Sequence, residues 1–359
     1  MKIALVHEML VKLGGAERVV KKLSDLYPTA PIYTLIHDPE ETNEWFGGRE
    51  IRTSSLQTYF RHLKKPKFLL PKMSWAVEEW DFSGFDVVIS SSSAFAHGIK
   101  TGGKTKHICY CHSPMRYAWD FAHEYTRGYS ALGRWAIAKM LNPIRQWDFL
   151  ASERPNLILA NSRHVQKRIE KYWRKSSTVV YPPVDVQRFT PTASHENFFL
   201  IVSTLAAFKR IDLAVRAFNQ NGHRLVIVGD GVQRKYLQSI AKKNIEFVGR
   251  QSDEVTRDYF QKCRALVFPG EEDFGITPVE AMAAGKPVLA YGVGGVTESV
   301  IPGVSGELFN EPTAESLQAG LDRLIFLEPQ YDPQKIRAIA ERFDEKVFEE
   351  RILALCSPR

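Results

Sequence analysis

The chain has 359 residues, 44% of them hydrophobic and 25% charged, with a formal net charge of +7. This exceeds one ordinary domain and supplies apolar side chains for two cores. No apolar run is long enough to span a bilayer, and the opening Met1-Lys-Ile-Ala-Leu-Val6 turns polar too soon for a signal peptide. The four cysteines, at 109, 111, 263 and 356, show neither CxxC nor zinc spacing, so reduced thiols in a cytosolic protein are expected, and the positive balance calls for an anionic partner.

In chain order, Lys2 to Val6 reads as an apolar strand. The glycine pair Gly14-Gly15 and an amphipathic helix from Ala16 to Leu26 follow. Strand, glycines and helix together make a cradle of backbone N–H groups for a phosphate, although a tight turn explains a lone Gly-Gly equally well. Between Arg49 and Lys72 seven basic residues stand against one acidic residue, interleaved with Tyr59, Phe60, Leu63 and Phe68. Basic and aromatic side chains in that mixture suit an anionic membrane surface; a solvated basic loop is the plainer alternative. Pro66 and Pro71 exclude one long amphipathic helix, and Trp135 to Leu141 reads either as more of that surface or as a core helix.

Phe85 to Ser90 and His107 to Cys111 are two further strands, and the second runs into His112-Ser-Pro-Met-Arg-Tyr117. A histidine at the carboxyl end of a parallel strand points to the crevice where open α/β sheets bind ligands. Leu157 to Ser162 gives another strand with a helix cap, then a basic helix from Arg163 to Lys175. Tyr181-Pro-Pro-Val-Asp185 stiffens a crossover and marks a domain boundary.

The alternation restarts with strand 198–203, helix 210–219, strand 224–229, helix 232–243 and strand 245–249, which predicts a second parallel sheet of Rossmann type. Gly229-Asp-Gly231 lacks the third glycine of a dinucleotide fingerprint, because Arg234 stands there, so a nicotinamide site is rejected. Lys209 follows the strand 198–203, where an ammonium at a strand end can meet an anionic ligand. Arg264 to Pro269 is a buried strand, and Pro278 to Ala284 is a helix opened by proline and closed by Gly285. The loop between them, with Glu272 and Gly275, offers N–H groups and the positive end of a helix dipole to a phosphate. Glu280 lies in the first turn, where a carboxylate accepts from sugar or ribose hydroxyls or simply caps the helix. One final helix is expected from about Pro333 to Leu355, carrying Ile336, Ile339, Phe343, Val347, Phe348 and Ile352.

Glu272, the seven residues after it, and Glu280, with Phe274-Gly275 inside and Glu280-Ala-Met-Ala-Ala-Gly285-Lys-Pro-Val288 following, resemble the donor-site signature of glycosyltransferase family 4. The likeness extends along nearly the whole chain. It implies a GT-B fold: two Rossmann-like domains facing across a cleft, with a C-terminal helix crossing back to the first domain. The domains expected are residues 1–183 on the acceptor side, 184–340 binding the nucleotide sugar, and the returning helix 341–359. The activity implied is a retaining, metal-independent hexosyl transfer by front-face attack assisted by the leaving phosphate.

By the same resemblance Gly14 and Gly15 face the donor phosphates, and His112 contacts the donor sugar. Lys209, helped by Arg210, neutralises the diphosphate, Arg250 lies where the base packs, and Glu272 with Phe274, Gly275, Ile276 and Thr277 holds the sugar and phosphates. Glu280 holds the ribose. His112, Lys209 and Glu272 are the expected catalytic residues. The chain departs from the family at Thr204, where an arginine five residues before the lysine is usual, and this puts catalytic rate in question.

His112-Ser-Pro-Met-Arg-Tyr117, Tyr181-Pro-Pro-Val-Asp185 and Glu272-Asp-Phe-Gly-Ile276 are most similar to mannosyltransferases of bacterial and archaeal surface-glycan assembly. They imply GDP-mannose as co-substrate, a glycan or lipid-linked acceptor, and no resident cofactor or metal. A cytoplasmic enzyme follows, with residues 49–72 resting on the inner face of the plasma membrane. The rival readings are a GT-B nucleotide-sugar epimerase, separated by incubation with donor alone, and a non-catalytic nucleotide-sugar or anionic-surface binding protein. A nucleic-acid binder is disfavoured, since no RRM, KH, zinc-finger or helix-turn-helix pattern occurs.

Overall fold

The computed structural model describes residues 1–120 and 130–356, so the end of the segment expected at 341–359 lies outside the described residues. The chain divides into two compact units, Met1–Tyr181 with the chain from Arg351 on, and Pro182–Glu350.

The first unit is built on seven parallel strands: β1 (Ile3–Leu10), β2 (Ile32–His37), β3 (Ile51–Thr53), β4 (Val87–Ser92), β5 (Lys106–Cys111), β6 (Leu157–Ala160) and β7 (Thr178–Val179). Their order across the sheet is β3-β2-β1-β4-β5-β6-β7. Helices cover the strands on both faces, so the strands read as continuous apolar runs rather than alternating ones. Residues Ile3 to Val6 and Val87 to Ile89 are accordingly all buried. One core gathers Val6, Leu35, Phe60, Met73, Phe82 and Phe95, and a second gathers Cys109, Cys111, Val165, Ile169 and Trp173.

The second unit has six parallel strands: β8 (Phe199–Val202), β9 (Leu225–Val228), β10 (Ile245–Gly249), β11 (Ala265–Phe268), β12 (Val288–Tyr291) and β13 (Gly306–Phe309), ordered β10-β9-β8-β11-β12-β13. In each sheet the strand order reverses beside the first strand, between β1 and β4 and again between β8 and β11. Crossovers leave those neighbours in opposite directions, and the crevice opened beyond their carboxyl ends is where doubly wound sheets bind ligands.

Two elements differ from the reading of the sequence. Strand β1 continues to Leu10 through His7 and Glu8. Both polar side chains are buried, and their hydrogen bonds let the strand run on. The single helix expected from Pro333 is broken into Pro333–Ala340, a 3-10 turn at Glu341–Phe343, and Glu345–Cys356. Val184 causes the break: its N–H donates to Phe343 O at 3.1 Å and its carbonyl accepts from Glu345 N at 3.1 Å, taking backbone groups that a continuous helix would use. Of the apolar residues on this stretch, Ile336, Phe343, Phe348 and Ile352 are buried while Val347 is 39% exposed. Within the first unit the Lys106 ammonium donates to Leu355 O at 2.9 Å, tying the last helical turn to β5.

Candidate functional site

In the second unit Lys209 follows β8 and Glu272 follows β11, one on each side of the point where the strand order reverses. Their side chains form an ion pair. Gly270 makes it possible: a Cβ there would stand 2.9 Å from the Lys209 Cα and carbonyl oxygen, so only glycine lets the two loops lie back to back. The pair is half-buried, with side-chain exposures of 17% and 24%, and both charges remain within reach of solvent.

Glycine recurs where this loop turns. Gly275 has φ +93° and precedes the helix Ile276–Ala283, and no side chain caps that helix. The helices Arg163–Trp173, Asp253–Lys262 and Ala314–Leu327 end instead on Ser162, Ser252 and Thr313, whose hydroxyls accept a backbone N–H. Among the described residues no side chain caps the helix at Ile276, whose positive end lies beside Lys209 and Glu272. Phe274 is buried against Phe343, with ring centroids 5.3 Å apart, so its side chain anchors the loop. Glu280 is buried, and the Arg188 guanidinium donates to its Oε1 at 2.7 Å. Thr277 lies one turn from that carboxylate.

Arg210 occupies the left-handed region at φ +50°, and its Nε lies 3.4 Å from Asp212 Oδ1 on its own helix. Arg250 and Thr204 are exposed. The structure thus brings Lys209, Glu272, Phe274, Gly275, Ile276 and Thr277 together around one loop, with Glu280 along the helix, whereas Arg210 pairs locally.

Sequence reading overlooked the support of this loop. Gly294 and Gly295, to which that reading gave no role at the site, lie against it: Gly295 N donates to Glu272 O at 2.9 Å, and a Cβ on Gly294 would meet that same oxygen at 2.4 Å. Gly229 and Gly231, rejected as a dinucleotide fingerprint, pack equally closely on Ser203 O and Leu205 O and hold the loop that carries Lys209. Arg188, which the sequence reading gave no role, is the partner of Glu280. The Arg-Phe after an Asp turn was its visible signal.

In the first unit the corresponding strand ends are polar and buried. Glu8 Oε1 accepts from the backbone N–H groups of Ser93, Ala94, Phe95 and Ala96 at 2.8 to 3.1 Å, and from Ser92 Oγ at 3.0 Å. The His7 ring is 3.1 Å from Ser91 O and 3.2 Å from Ser91 Oγ through Nδ1, and 3.5 Å from Glu17 Oε1 through Nε2. Burial alone lowers the affinity of His7 for a proton, but the hydrogen bond and charge of Glu17, with Glu8 behind, outweigh it and raise the pKa. Glu17 is likewise opposed by burial and held below the usual carboxylate range by His7.

His112 sits beyond β5 with its Nε2 2.7 Å from Ser91 Oγ. Gly14 is extended and caps the helix Gly15–Leu26 without a side chain; a Cβ there would stand 3.0 Å from Glu17 Oε2. Among the described residues no group of three or more His, Cys, Asp or Glu is arranged to hold a metal ion.

The basic stretch forms two short helices, Leu56–Leu63 and Leu70–Ala76, joined through Lys64 at φ +47° and a 3-10 turn. Leu56, Phe60, Leu69 and Met73 are buried beneath them, while Tyr59, Leu63, Phe68 and Trp75 are each 47% to 66% exposed. The Lys72 ammonium lies 4.8 Å from the Tyr59 ring centre, joining the outer faces of the two helices. Trp135 is also exposed, on the helix Ala131–Ala151, whereas Leu141 farther along it is buried. Among the described residues no helix is long and apolar enough to cross a membrane.

Two doubly wound parallel sheets in succession, the second with a cation and a carboxylate beside an uncapped helix, define a nucleotide-binding α/β protein of two units. Two family models match the chain: glycosyltransferase family 4 over residues 13–188 and glycosyl transferases group 1 over residues 185–342. The chain belongs to glycosyltransferase family 4, with the GT-B fold, and is an enzyme that transfers a sugar from a nucleotide sugar.

It is 25% identical to the alpha-1,3/1,6-mannosyltransferase ALG2 of Dictyostelium discoideum, over 90% of each chain. It is 28% identical to a GDP-mannose-dependent alpha-mannosyltransferase of Mycolicibacterium smegmatis, over 65% of this chain and 62% of that protein. Other curated relatives match along about half of their own length. Among solved structures, Anabaena HepE in complex with UDP superposes with a TM-score of 0.71 at 17% identity, over 99% of each chain.

Proposed function

We propose that the protein transfers mannose from GDP-mannose to a glycan or lipid-linked acceptor, with retention of anomeric configuration and without a metal ion. The observation that carries this reading is the half-buried Lys209–Glu272 pair beside the uncapped start of the helix Ile276–Ala283. As the glycosidic bond breaks, positive charge develops at the anomeric carbon and negative charge on the departing phosphate. Lys209 and the N–H groups of Gly275, Ile276 and Thr277 take up the phosphate charge, and they stand ready before it appears, so no reorganisation is needed. Glu272, aligned by Lys209, accepts from a sugar hydroxyl, and Glu280, aligned by Arg188, accepts from the ribose.

In the same reading His112 bonds the donor sugar, the Gly14-Gly15 turn faces the phosphates, Arg250 lies at the base, and Arg210 adds to the phosphate field where the family's usual arginine is replaced by Thr204. The mannosyltransferase relatives support mannose as the sugar, and the relative that depends on GDP-mannose supports the nucleotide. The enzyme works in the cytoplasm, its basic and aromatic helices at 56–76 resting on anionic lipid at the inner face of the plasma membrane.

A ligand that binds only the folded state raises the melting temperature by mass action. GDP-mannose is expected to raise it more than UDP-glucose, ADP-glucose or GDP alone, and to release GDP when a mannose-ending acceptor is added. A larger shift with a UDP sugar, or no shift with any sugar nucleotide, overturns the proposal.

A further inference from the structure

Four side chains in the first unit are linked end to end: Glu17, His7, Ser91 and His112. Their donors and acceptors follow from the geometry. A carbonyl oxygen only accepts, so the contact of His7 Nδ1 with Ser91 O, at 3.1 Å, requires a proton on that nitrogen. The same N–H lies 3.2 Å from Ser91 Oγ. A protonated nitrogen cannot accept in return, which leaves the Ser91 hydroxyl proton to His112 Nε2 at 2.7 Å. At its far side His7 Nε2 faces the Glu17 carboxylate, which also only accepts, and so His7 carries protons on both nitrogens.

We propose that Ser91, backed by the His7–Glu17 pair, is a positioning residue for transfer: it fixes the tautomer of His112, which accepts a hydrogen bond from the Ser91 hydroxyl at Nε2 and bears its own proton on Nδ1. The assignment rests on the reading that His112 bonds the donor sugar, and it adds what that imidazole presents there, a donor N–H at Nδ1. The charges that face His7 are Glu17 and Glu8, the latter 3.9 Å from Nδ1. His112 packs against the Tyr110 ring, with centroids 5.2 Å apart, and this holds the plane of the imidazole. Gly14 belongs to the same device, since any larger residue would press on the Glu17 carboxylate. A hydrogen bond to one ring nitrogen deciding the state of the other is the ordinary way a histidine is prepared for its task.

The test is nitrogen-15 NMR of the imidazoles in the full chain, with His112→Gln used to assign the signal. His112 is expected to show a protonated Nδ1 and a bare Nε2. In Ser91→Ala it should drift to a mixture, and kcat should fall about ten- to a hundredfold with little change in the KM for donor. Ser91→Thr, which keeps the hydroxyl, should restore both tautomer and rate, and its melting temperature controls for folding.

A wild-type His112 protonated on Nε2, or a tautomer unmoved in Ser91→Ala, overturns the proposal. If the tautomer is as expected while His112→Gln keeps full turnover, the relay stands as a structural device, and both its catalytic role and the contact between His112 and the donor are overturned.

Discussion

The two units share one strand order and place polar groups at the same topological point, yet they treat those groups in opposite ways. In the first unit Glu8, His7 and Glu17 are 3% to 8% exposed in their side chains and are fully engaged with their own backbone and each other. In the second, Lys209 and Glu272 keep 17% and 24% of their side chains in contact with solvent, beside helical N–H groups that no side chain caps. A buried, internally compensated network sets geometry. A half-exposed pair can exchange its partner for a ligand at little desolvation cost, because neither charge has been fully removed from water. The comparison teaches that the fold fixes where a site can be, while burial decides whether the polar groups there serve the protein or its substrate.

The largest expected effect separates these two uses directly. Glu272→Ala and Lys209→Ala should each lower turnover by about 10²- to 10³-fold, the scale for losing one preorganised electrostatic partner. The melting temperature should move little, since the pair is half-exposed. Steady-state kinetics beside a thermal melt check this, and a large loss of stability with unchanged turnover would reverse the comparison.

Glu8→Ala should do the opposite. It strips the acceptor from four backbone N–H groups and one hydroxyl in a buried corner, and an unsatisfied buried group costs about 1–3 kcal/mol. The first unit should therefore melt well below the second in calorimetry. Glu8→Gln, which retains an acceptor oxygen, should recover part of the loss.

What could be read in the sequence beforehand follows the same division. Strands β8 to β11 were visible as apolar runs between helices, because parallel strands covered on both faces carry that signature. The Glu272 to Glu280 loop was visible because a proline, a positive-φ glycine and two carboxylates crowd into a few residues. Strand β13 was hidden because it is short and glycine flanks and opens it: Gly303 lies just before it, and Gly306, its first residue, packs against Val288 O. The continuation of β1 through His7 and Glu8 was hidden too, since nothing local says that these two polar side chains will find their hydrogen-bond partners 84 residues away on β4. Long-range satisfaction of buried polar groups is a tertiary fact, and Gly294 bracing Glu272 is another instance of it.

Acidification sharpens the contrast further, because three buried groups with large shifts that titrate between acid and neutral pH, His97, His107 and Asp148, lie in the first unit. Burial holds His97 at about 4 and His107 at about 3, well under the ordinary histidine value. Each depressed histidine contributes stability that is present above pH 6.5 and lost as pH falls through its folded value. Asp148 runs the other way. Burial pushes it to about 7 despite the indole N–H donors of Trp173 and Trp119, so its contribution is present below the unfolded carboxylate range and lost as pH rises through 7. Between pH 4 and 6.5 the two histidines outweigh the one carboxylate, so the net slope favours higher pH. The first unit should therefore be most stable near pH 6.5. Melting curves from pH 4.5 to 8 test this, and Asp148→Asn, by removing the opposing contribution, should steepen the acid limb.

The smallest expected effect concerns the surface of the first unit. Tyr59 and Leu63 are one helical turn apart, Lys72 and Trp75 are three residues apart, and the contact of Lys72 with the Tyr59 ring sets these four on a common face. Such a face gains roughly 1 kcal/mol for each Lys or Arg brought near anionic lipid, an attraction screened by salt. Cosedimentation with vesicles containing phosphatidylglycerol should therefore decline with each of Lys64→Glu, Lys65→Glu and Lys72→Glu, and should weaken as salt is raised. Trp75→Ala should weaken binding without changing its salt dependence, because an aromatic ring contributes through burial at the interface and not through charge. Turnover of a water-soluble acceptor should stay the same in all four variants, since none of these residues lies at the ends of β1, β4 or β5. Equal binding to neutral and anionic vesicles would assign the exposed aromatics to some other partner, and the first unit would then keep only its buried network as a functional feature.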